Sequence, residues 1–450
     1  MGKLVALAED ALLARQQLPE RFGLDAVRPS YDGLGLANIA ALAMQWLCPD
    51  APELHEQSAL PPFNPDLLAL QSVTDTWQTW QQQAPINHVV VLLVDALGYD
   101  QLRTMMAQGD APGLAAASTS PQAFFMPATS VFPSTTVTAL TSTATAYAPT
   151  QHGIMCTNMY LRDLGSVVNL IHWRPSVAPT ATPYSDEQLN PDTLLPIPNL
   201  YLRMEKAGVN VEIVNARQYK GSSISRFTSV GSEAADRGYT GYLTPADGLA
   251  QLRDRLLAKH ESKSFTYCYV PTVDTAAHRY GPLSSCYRAE VAALDFSLKR
   301  ELLEPLAGRN DIVLLLVADH GQRPAYPDKI LWLNQYPEFT RLLLIPSTGE
   351  SQCRFFHIRP GAEPAVVDYV QKHLADRFLL LSQDEAIALG LFGLPGQPLT
   401  EEYSDRVGDF ILIPRTDWSC FPEEHFPIIA GVHGGVSRAE MLIPFLAYRF

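Results

Sequence analysis

A chain of 450 residues that is 47% hydrophobic and 18% charged can bury a large core, and this composition excludes global disorder. Its 33 Lys and Arg stand against 47 Asp and Glu, a formal net charge of -14, which removes the electrostatic reason to hold a long nucleic acid. No segment approaches the roughly 18 uninterrupted apolar residues that a membrane helix needs, and the N-terminus reaches Glu9-Asp10 too soon for a secretory core. Six widely spaced cysteines with no Cys-x-x-Cys suit reduced thiols, so a cytoplasmic location is expected.

Length suggests two or three domains, yet one α/β sheet absorbs much of such a chain. Residues 1–85 are helix-prone, with apolar faces at 39–47 and 73–80, and read as a helical arm. The catalytic core, 86–346, opens with His88-Val-Val-Val-Leu-Leu-Val-Asp95, an apolar run bounded by a carboxylate. Runs of this kind suit strands buried on both faces of a parallel sheet, and ligands bind at the carboxyl ends of such strands. Next comes Phe132-Pro-Ser-Thr-Thr136-Val-Thr-Ala-Leu-Thr-Ser-Thr-Ala-Thr145, dense in hydroxyls. Residues 160–200 form a proline-rich loop too long for an ordinary connection, of the sort that shapes access to a rim. A strand follows at 209–215, then Phe265-Thr-Tyr-Cys-Tyr-Val-Pro-Thr-Val-Asp274 with His278 four residues on, then a helix at 286–306 with Val291, Leu294, Leu298 and Leu302 inward. The run 311–318 ends in Asp319-His320-Gly321. Residues 347–409 read as an inserted cap with a strand at 353–359 and a helix at 364–377. The core resumes at 410–414 and continues to residue 450.

Asp95, Thr136, Asp274, His278, Asp319, His320 and His433 together fit a two-metal hydrolytic site with a hydroxyl nucleophile. The i, i+4 spacing of Asp274 and His278 lets them share a helical face or converge from a tight loop. Mixed carboxylate and imidazole donors favour two divalent ions of the zinc type, with manganese or iron as substitutes. A pair of such ions activates a hydroxyl and stabilises a leaving oxygen, which points to a small phosphoester as substrate. Each residue alone has a blander role: Asp95 as a helix cap, Asp319-His320 as a turn, His433 as a backbone-bonded ring. The threonine run suits a strand or local backbone bonding, so Thr138, Thr141, Thr143 and Thr145 are assigned to structure. His55, His88, His172, His260, His357, His373 and His425 sit in no ligand pattern.

The segment Phe132-Pro-Ser-Thr-Thr136, followed by Pro149-Thr-Gln-His152-Gly-Ile154, resembles the nucleophile motif of the nucleotide pyrophosphatase/phosphodiesterase branch of the alkaline phosphatase superfamily. Asp274-Thr-Ala-Ala-His278, Ala318-Asp-His-Gly321 and His433-Gly-Gly435 resemble its later motifs, in the same order, from about Val89 to the C-terminus. The resemblance implies an alkaline-phosphatase-like α/β three-layer sandwich with a mostly parallel central sheet. It assigns one ion to Asp95, Asp319, His320 and the Thr136 oxygen, and the other to Asp274, His278 and His433. It implies a phosphothreonine intermediate at Thr136, the fourth residue of Pro133-Ser-Thr-Thr136, and gives His152 the task of holding its loop. The family also places an asparagine after the His-Gly-Ile element as donor to a non-bridging phosphate oxygen. Asn158 is the candidate, one position beyond the family spacing, where Thr157 stands.

The expected reaction is cleavage of a phosphodiester or pyrophosphate bond in a nucleotide-like small molecule. A phosphomonoesterase or phosphonate hydrolase would use the same metals. Sulfatases need a Cys/Ser-x-Pro-x-Arg element that is missing near Thr136, and related mutases use serine there. A noncatalytic ligand-binding module is the alternative of another class.

Overall fold

The apolar runs at 88–94, 264–270 and 312–317 form adjacent parallel strands at the centre of a seven-stranded sheet. The computed structural model describes residues 2–23, 25–51, 59–258, 262–423 and 429–450. Its central strands are β1 (His88–Val94), β2 (Ala123–Thr129), β3 (Asn210–Ala216), β4 (Tyr239–Tyr242), β5 (Ser264–Val270), β6 (Ile312–Val317) and β7 (Leu442–Arg449), in the spatial order β2-β7-β6-β1-β5-β3-β4. Every residue of β1, β5 and β6 is buried, which requires helices over both faces and explains why these runs show no polar alternation. Only β7 runs against its neighbours, pairing antiparallel with β2 and β6. This is the mixed, mostly parallel α/β sheet expected from the sequence.

The N-terminal region is helical at Lys3–Gln16, Leu36–Leu47 and Gln71–Gln81. Ten of the twelve residues of Leu36–Leu47 are buried, so this helix belongs to the sheet's covering layer, where it packs on the helix Thr136–Thr145. The last helix docks through aromatic rings. Trp77 lies 4.8 Å from Phe124 of β2 and 6.0 Å from Phe445 of β7, and stacks on Trp80 at 5.2 Å.

Two sequence expectations need correction. Phe410–Pro414, assigned to the resumed core, pairs instead with Cys353–Phe356 and Phe378–Ser382 in a four-stranded antiparallel cap sheet completed by Thr348–Glu350. Five apolar residues read alike in either sheet; the pairing partner decides. The threonine run, read as strand or turn, is the helix Thr136–Thr145. Thr141, Thr143 and Thr145 each donate to the carbonyl four residues back, at 2.7, 2.8 and 2.7 Å, so their hydroxyls enter the interior already satisfied. The long segment after Tyr160 is partly ordered as strands at Asn158–Leu161, Ser166–Asn169 and Arg174–Pro175. All six cysteines are unpaired, and among the described residues no helix is long and apolar enough to cross a membrane.

Trp77→Ala should lower unfolding free energy by about 3–5 kcal/mol in urea titration, the loss typical of a large ring removed from a core. A loss below about 1 kcal/mol would mean that the N-terminal helices are a loose appendage.

Candidate active site and metal centre

Strand direction brings the predicted residues to one rim. β1 and β6 are parallel neighbours with Leu93 opposite Val317, so Asp95 and Asp319 emerge side by side two residues later. β5, on the other side of β1, ends at Val270 and passes into the helix Thr272–Tyr280, whose first turn carries Asp274 and whose last turn carries His278. The i, i+4 pair is thus helical. Because β7 is antiparallel, the chain enters it from this same rim, which brings in His433, while β2 leaves toward it through Ser130 to Thr136. The two loops are joined at Ser134: its Oγ donates to Gly435 O at 2.8 Å and accepts from Gly434 N at 3.2 Å. Close backbone approach also matters beyond Asp319. A Cβ on Gly321 would lie 2.1 Å from Ala439 O and 3.0 Å from the Gly98 Cα, so only glycine fits there.

Three imidazoles face inward in one tautomer. His278 Nδ1 is 2.8 Å from Gly431 O, His320 Nδ1 is 3.0 Å from Gly321 O, and His433 Nδ1 is 2.9 Å from Ser134 O. A carbonyl only accepts, so each Nδ1 carries the proton and each Nε2 offers a lone pair. His278 Nε2 and His433 Nε2 nevertheless stand 3.2 Å apart, and His278 Nε2 is 3.3 Å from Asp274 Oδ1. His320 Nε2 is 3.3 Å from Asp319 Oδ2, 3.6 Å from Asp95 Oδ1 and 3.3 Å from Thr136 Oγ1. The Thr136 hydroxyl can donate to His320 Nε2, but the imidazole and carboxylate lone pairs held this close repel one another; a cation among them removes the conflict.

The carboxylates tell the same story. Asp95 Oδ1 and Asp319 Oδ2 are buried without a hydrogen-bond partner. Their other oxygens are fixed: Tyr269 OH donates to Asp95 Oδ2, and Ala96 N and His320 N donate to Asp319 Oδ1 at 3.0 and 2.9 Å. Burial lifts Asp319 to about 6, and burial followed by repulsion from Asp319 and Asp274 pushes Asp95 well above the usual carboxylate range. Burial holds His320 down to about 3 and, with His320 and His278 beside it, holds His433 well below the ordinary imidazole value. Donor atoms of Asp95, Asp319 and His320 fall within 4.8 Å of one another, as do those of Asp274, His320 and His433. The donor set fits divalent cations of the borderline type.

Thr136 begins the helix Thr136–Thr145 and opens on a cavity of about 170 Å³ that Asp95 and Asp274 also line. Its walls include Tyr201, Tyr219, Tyr267, Tyr269, Ile171 and Asn215, and none of its lining residues is Lys or Arg. Ile171 comes from the long segment after Tyr160, at the rim as expected. Asn158 is the one predicted site residue not gathered here. Its carboxamide oxygen accepts from Asn169 at 3.1 Å and Ser176 at 2.8 Å, and it lines a separate cavity. The extra residue relative to the family spacing turns Asn158 into that neighbouring sheet and leaves Thr157 beside Thr135, with 3.4 Å between the hydroxyl oxygens. His152 is buried between Ser142 Oγ and Ile154 N, at 2.9 and 3.0 Å, and holds its loop. His55, His260 and His425 lie outside the described residues.

Sequence reasoning passed over Tyr269, Gln322, whose amide donates to Asp274 Oδ1, and Glu350, which accepts from Thr157 N at 2.6 Å. Gln322 directly follows the Asp-His-Gly element and Tyr269 lies inside the strand before Asp274, so position along the motifs offered a signal for both. Glu350 sits in the cap, with no signal at all.

Residues 89–435 match the family model described as type I phosphodiesterase / nucleotide pyrophosphatase. No curated protein matches. Among solved structures, murine ectonucleotide pyrophosphatase/phosphodiesterase 5 is 17% identical with a TM-score of 0.57, covering 80% of this chain and 87% of its own; it is also known in an inactive form in complex with AMP, at the same values. Phosphonoacetate hydrolase from Sinorhizobium meliloti, in complex with phosphonoacetate, is 17% identical with a TM-score of 0.58, covering 80% and 89%. The family match spans most of the chain and takes in every clustered residue from Asp95 to His433: this protein belongs to the type I phosphodiesterase / nucleotide pyrophosphatase family and is a hydrolase.

Proposed function

We propose that the protein is a metal-dependent phosphodiesterase or pyrophosphatase for small nucleotide-like substrates, with Thr136 as nucleophile. The observation that carries this reading is the convergence of unprotonated donors: His278 Nε2 and His433 Nε2 at 3.2 Å, beside the orphaned oxygens of Asp95 and Asp319. Asp95, Asp319 and His320 would hold one ion near Thr136, and Asp274, His278 and His433 the other. Zinc is the ion proposed, since imidazole and carboxylate together suit it. When bound, such ions supply Lewis-acid charge that activates a hydroxyl and neutralises a leaving oxygen.

The chain's own residues do the rest. Thr136 stands at the start of a ten-residue helix, where the helix dipole favours negative charge on Oγ1 and on a phosphoryl group beside it. Attack by Oγ1 on phosphorus would give a phosphothreonine, which water then opens. The cavity walls of Tyr201, Tyr219 and Tyr267 offer flat apolar faces and hydroxyls to an uncharged organic group. Among the described residues these walls carry no Lys or Arg to partner a carboxylate, which speaks for a nucleotide-like ester over a carboxylated phosphonate.

Thr136→Ala should keep the fold and the metals while losing about a thousandfold or more in kcat, measured with bis-p-nitrophenyl phosphate. A near-native rate would exclude covalent catalysis at that oxygen. Paired assays with p-nitrophenyl phosphate should show preference for the diester; the reverse preference would make the enzyme a monoesterase.

His278→Ala should reduce the bound zinc from two ions toward one, read by elemental analysis of the purified protein. Retention of both ions would remove His278 from the ligand set.

Metal removal should be felt most at high pH. Asp319, lifted to about 6 by burial, keeps a proton in the metal-free fold that the unfolded carboxylate, near 4, has released. Stability of the metal-free fold therefore falls as pH rises through that interval, and Asp95 adds to the fall. A divalent cation cancels this repulsion. His320, held down to about 3, stays a neutral ligand throughout. The gap in unfolding temperature between zinc-loaded and chelated protein should widen from pH 5 to pH 8, by calorimetry; a constant or narrowing gap would contradict the buried-carboxylate site.

A further inference from the structure

The cap contributes a carboxylate to the edge of this site. Glu350 ends the strand Thr348–Glu350, and its Oε1 accepts from Thr157 N at 2.6 Å and from Thr135 Oγ1 at 3.3 Å. Thr135 is the residue before the proposed nucleophile. On its other side Glu350 meets the loop of His433: a Cβ on Gly434, where φ is +111°, would lie 2.8 Å from the Glu350 Cβ. The carboxylate is therefore wedged between the two loops that bring Thr136 and His433 to the rim. It occupies two donors beside the phosphoryl position and leaves its charge there.

That charge matters because no basic group bonds the clustered donors directly. Among the described residues, no hydrogen bond or ion pair of Asp95, Thr136, Asp274, His278, Asp319, His320 or His433 goes to a Lys or Arg. Arg354, on the next cap strand, directs its guanidinium hydrogen bonds to Gly349 O and Ser347 and meets Glu350 only through space, as a partial counter-charge. Two divalent cations against Asp95, Asp274 and Asp319 leave one net positive charge, and ionised Thr136 Oγ1 would cancel it. Glu350 alongside adds a further negative charge, offset only in part by Arg354. A phosphodiester brings one charge into that field and a phosphomonoester two, and at partly buried separations the second charge is costly.

We propose that Glu350 is a specificity-determining residue, a charge filter that sets this site against dianionic phosphoryl groups and so in favour of diesters. The inference rests on reading the Thr136 site as a phosphoesterase, and it is separable from that reading by binding. With zinc-loaded protein at pH 8, calorimetric titration with inorganic phosphate, the dianion, and with dimethyl phosphate, the monoanion, should show Glu350→Gln binding phosphate about tenfold more tightly and dimethyl phosphate within about threefold of native. The ratio of kcat/KM for p-nitrophenyl phosphate over bis-p-nitrophenyl phosphate should rise by about the same tenfold. Glu350→Asp, which keeps the charge and changes the packing, should retain the native discrimination. Equal shifts for both anions, no shift, or an Asp variant that behaves as Gln would overturn the filter. If native protein cleaves neither ester while Glu350→Gln still tightens on phosphate alone, the filter stands and the phosphoesterase reading falls.

Discussion

Repulsion among inward-pointing lone pairs governs this structure. Three histidines spend their Nδ1 protons on main-chain carbonyls, so their Nε2 atoms meet each other and the carboxylates with no proton to share. Asp95 and Asp319 each turn one oxygen into the same space without a partner. Such an arrangement is expensive in a dry interior unless positive charge sits in the middle. The surrounding fold has to hold the groups against that repulsion.

The means are mostly main-chain. Parallel neighbours β1 and β6 set Asp95 and Asp319 side by side, and the Ala96 amide clamps the Asp319 carboxylate across the gap. Reversal of β7 returns the chain to the rim, where Ser134 fastens the His433 loop to the loop of Thr136. Tyr269 holds the outer oxygen of Asp95, and Gln322 donates to Asp274 Oδ1, the oxygen that faces His278. Partners of this kind orient metal-binding side chains and raise their basicity. The helical N-terminal region closes over the sheet with aromatic rings, so the rim stands on a fully covered core.

The cap sheet approaches from outside this frame, and its contribution is electrostatic. A chain with a net charge of -14 has surrounded Thr136 with carboxylates and tyrosines, and among the described residues no Lys or Arg lines the cavity. In the proposed mechanism, charge for a phosphoryl group would come from bound cations and from the helix start at Thr136, which would tie recognition of the substrate to occupancy of the donors.

The sequence by itself determined the central strands and the identity of the clustered donors. Long apolar runs such as 88–94 and 312–317 have one stable use in a chain of this size, and a carboxylate closing each of them marks the rim. The order Asp95, Thr136, Asp274, His278, Asp319, His320, His433 was legible because spacing within each motif is local. Tertiary structure alone decided what depends on partners distant in sequence. The threonine run became a helix because burial outweighs its modest propensity and its hydroxyls bond within the helix. Phe410–Pro414 went to the cap sheet because an apolar pentapeptide does not specify its neighbour. Asn158 turned away because a single extra residue reverses the facing of a strand, and Glu350 reached Thr135 across 215 positions of sequence. Local periodicity carries no information about contacts of that range; only packing fixes them.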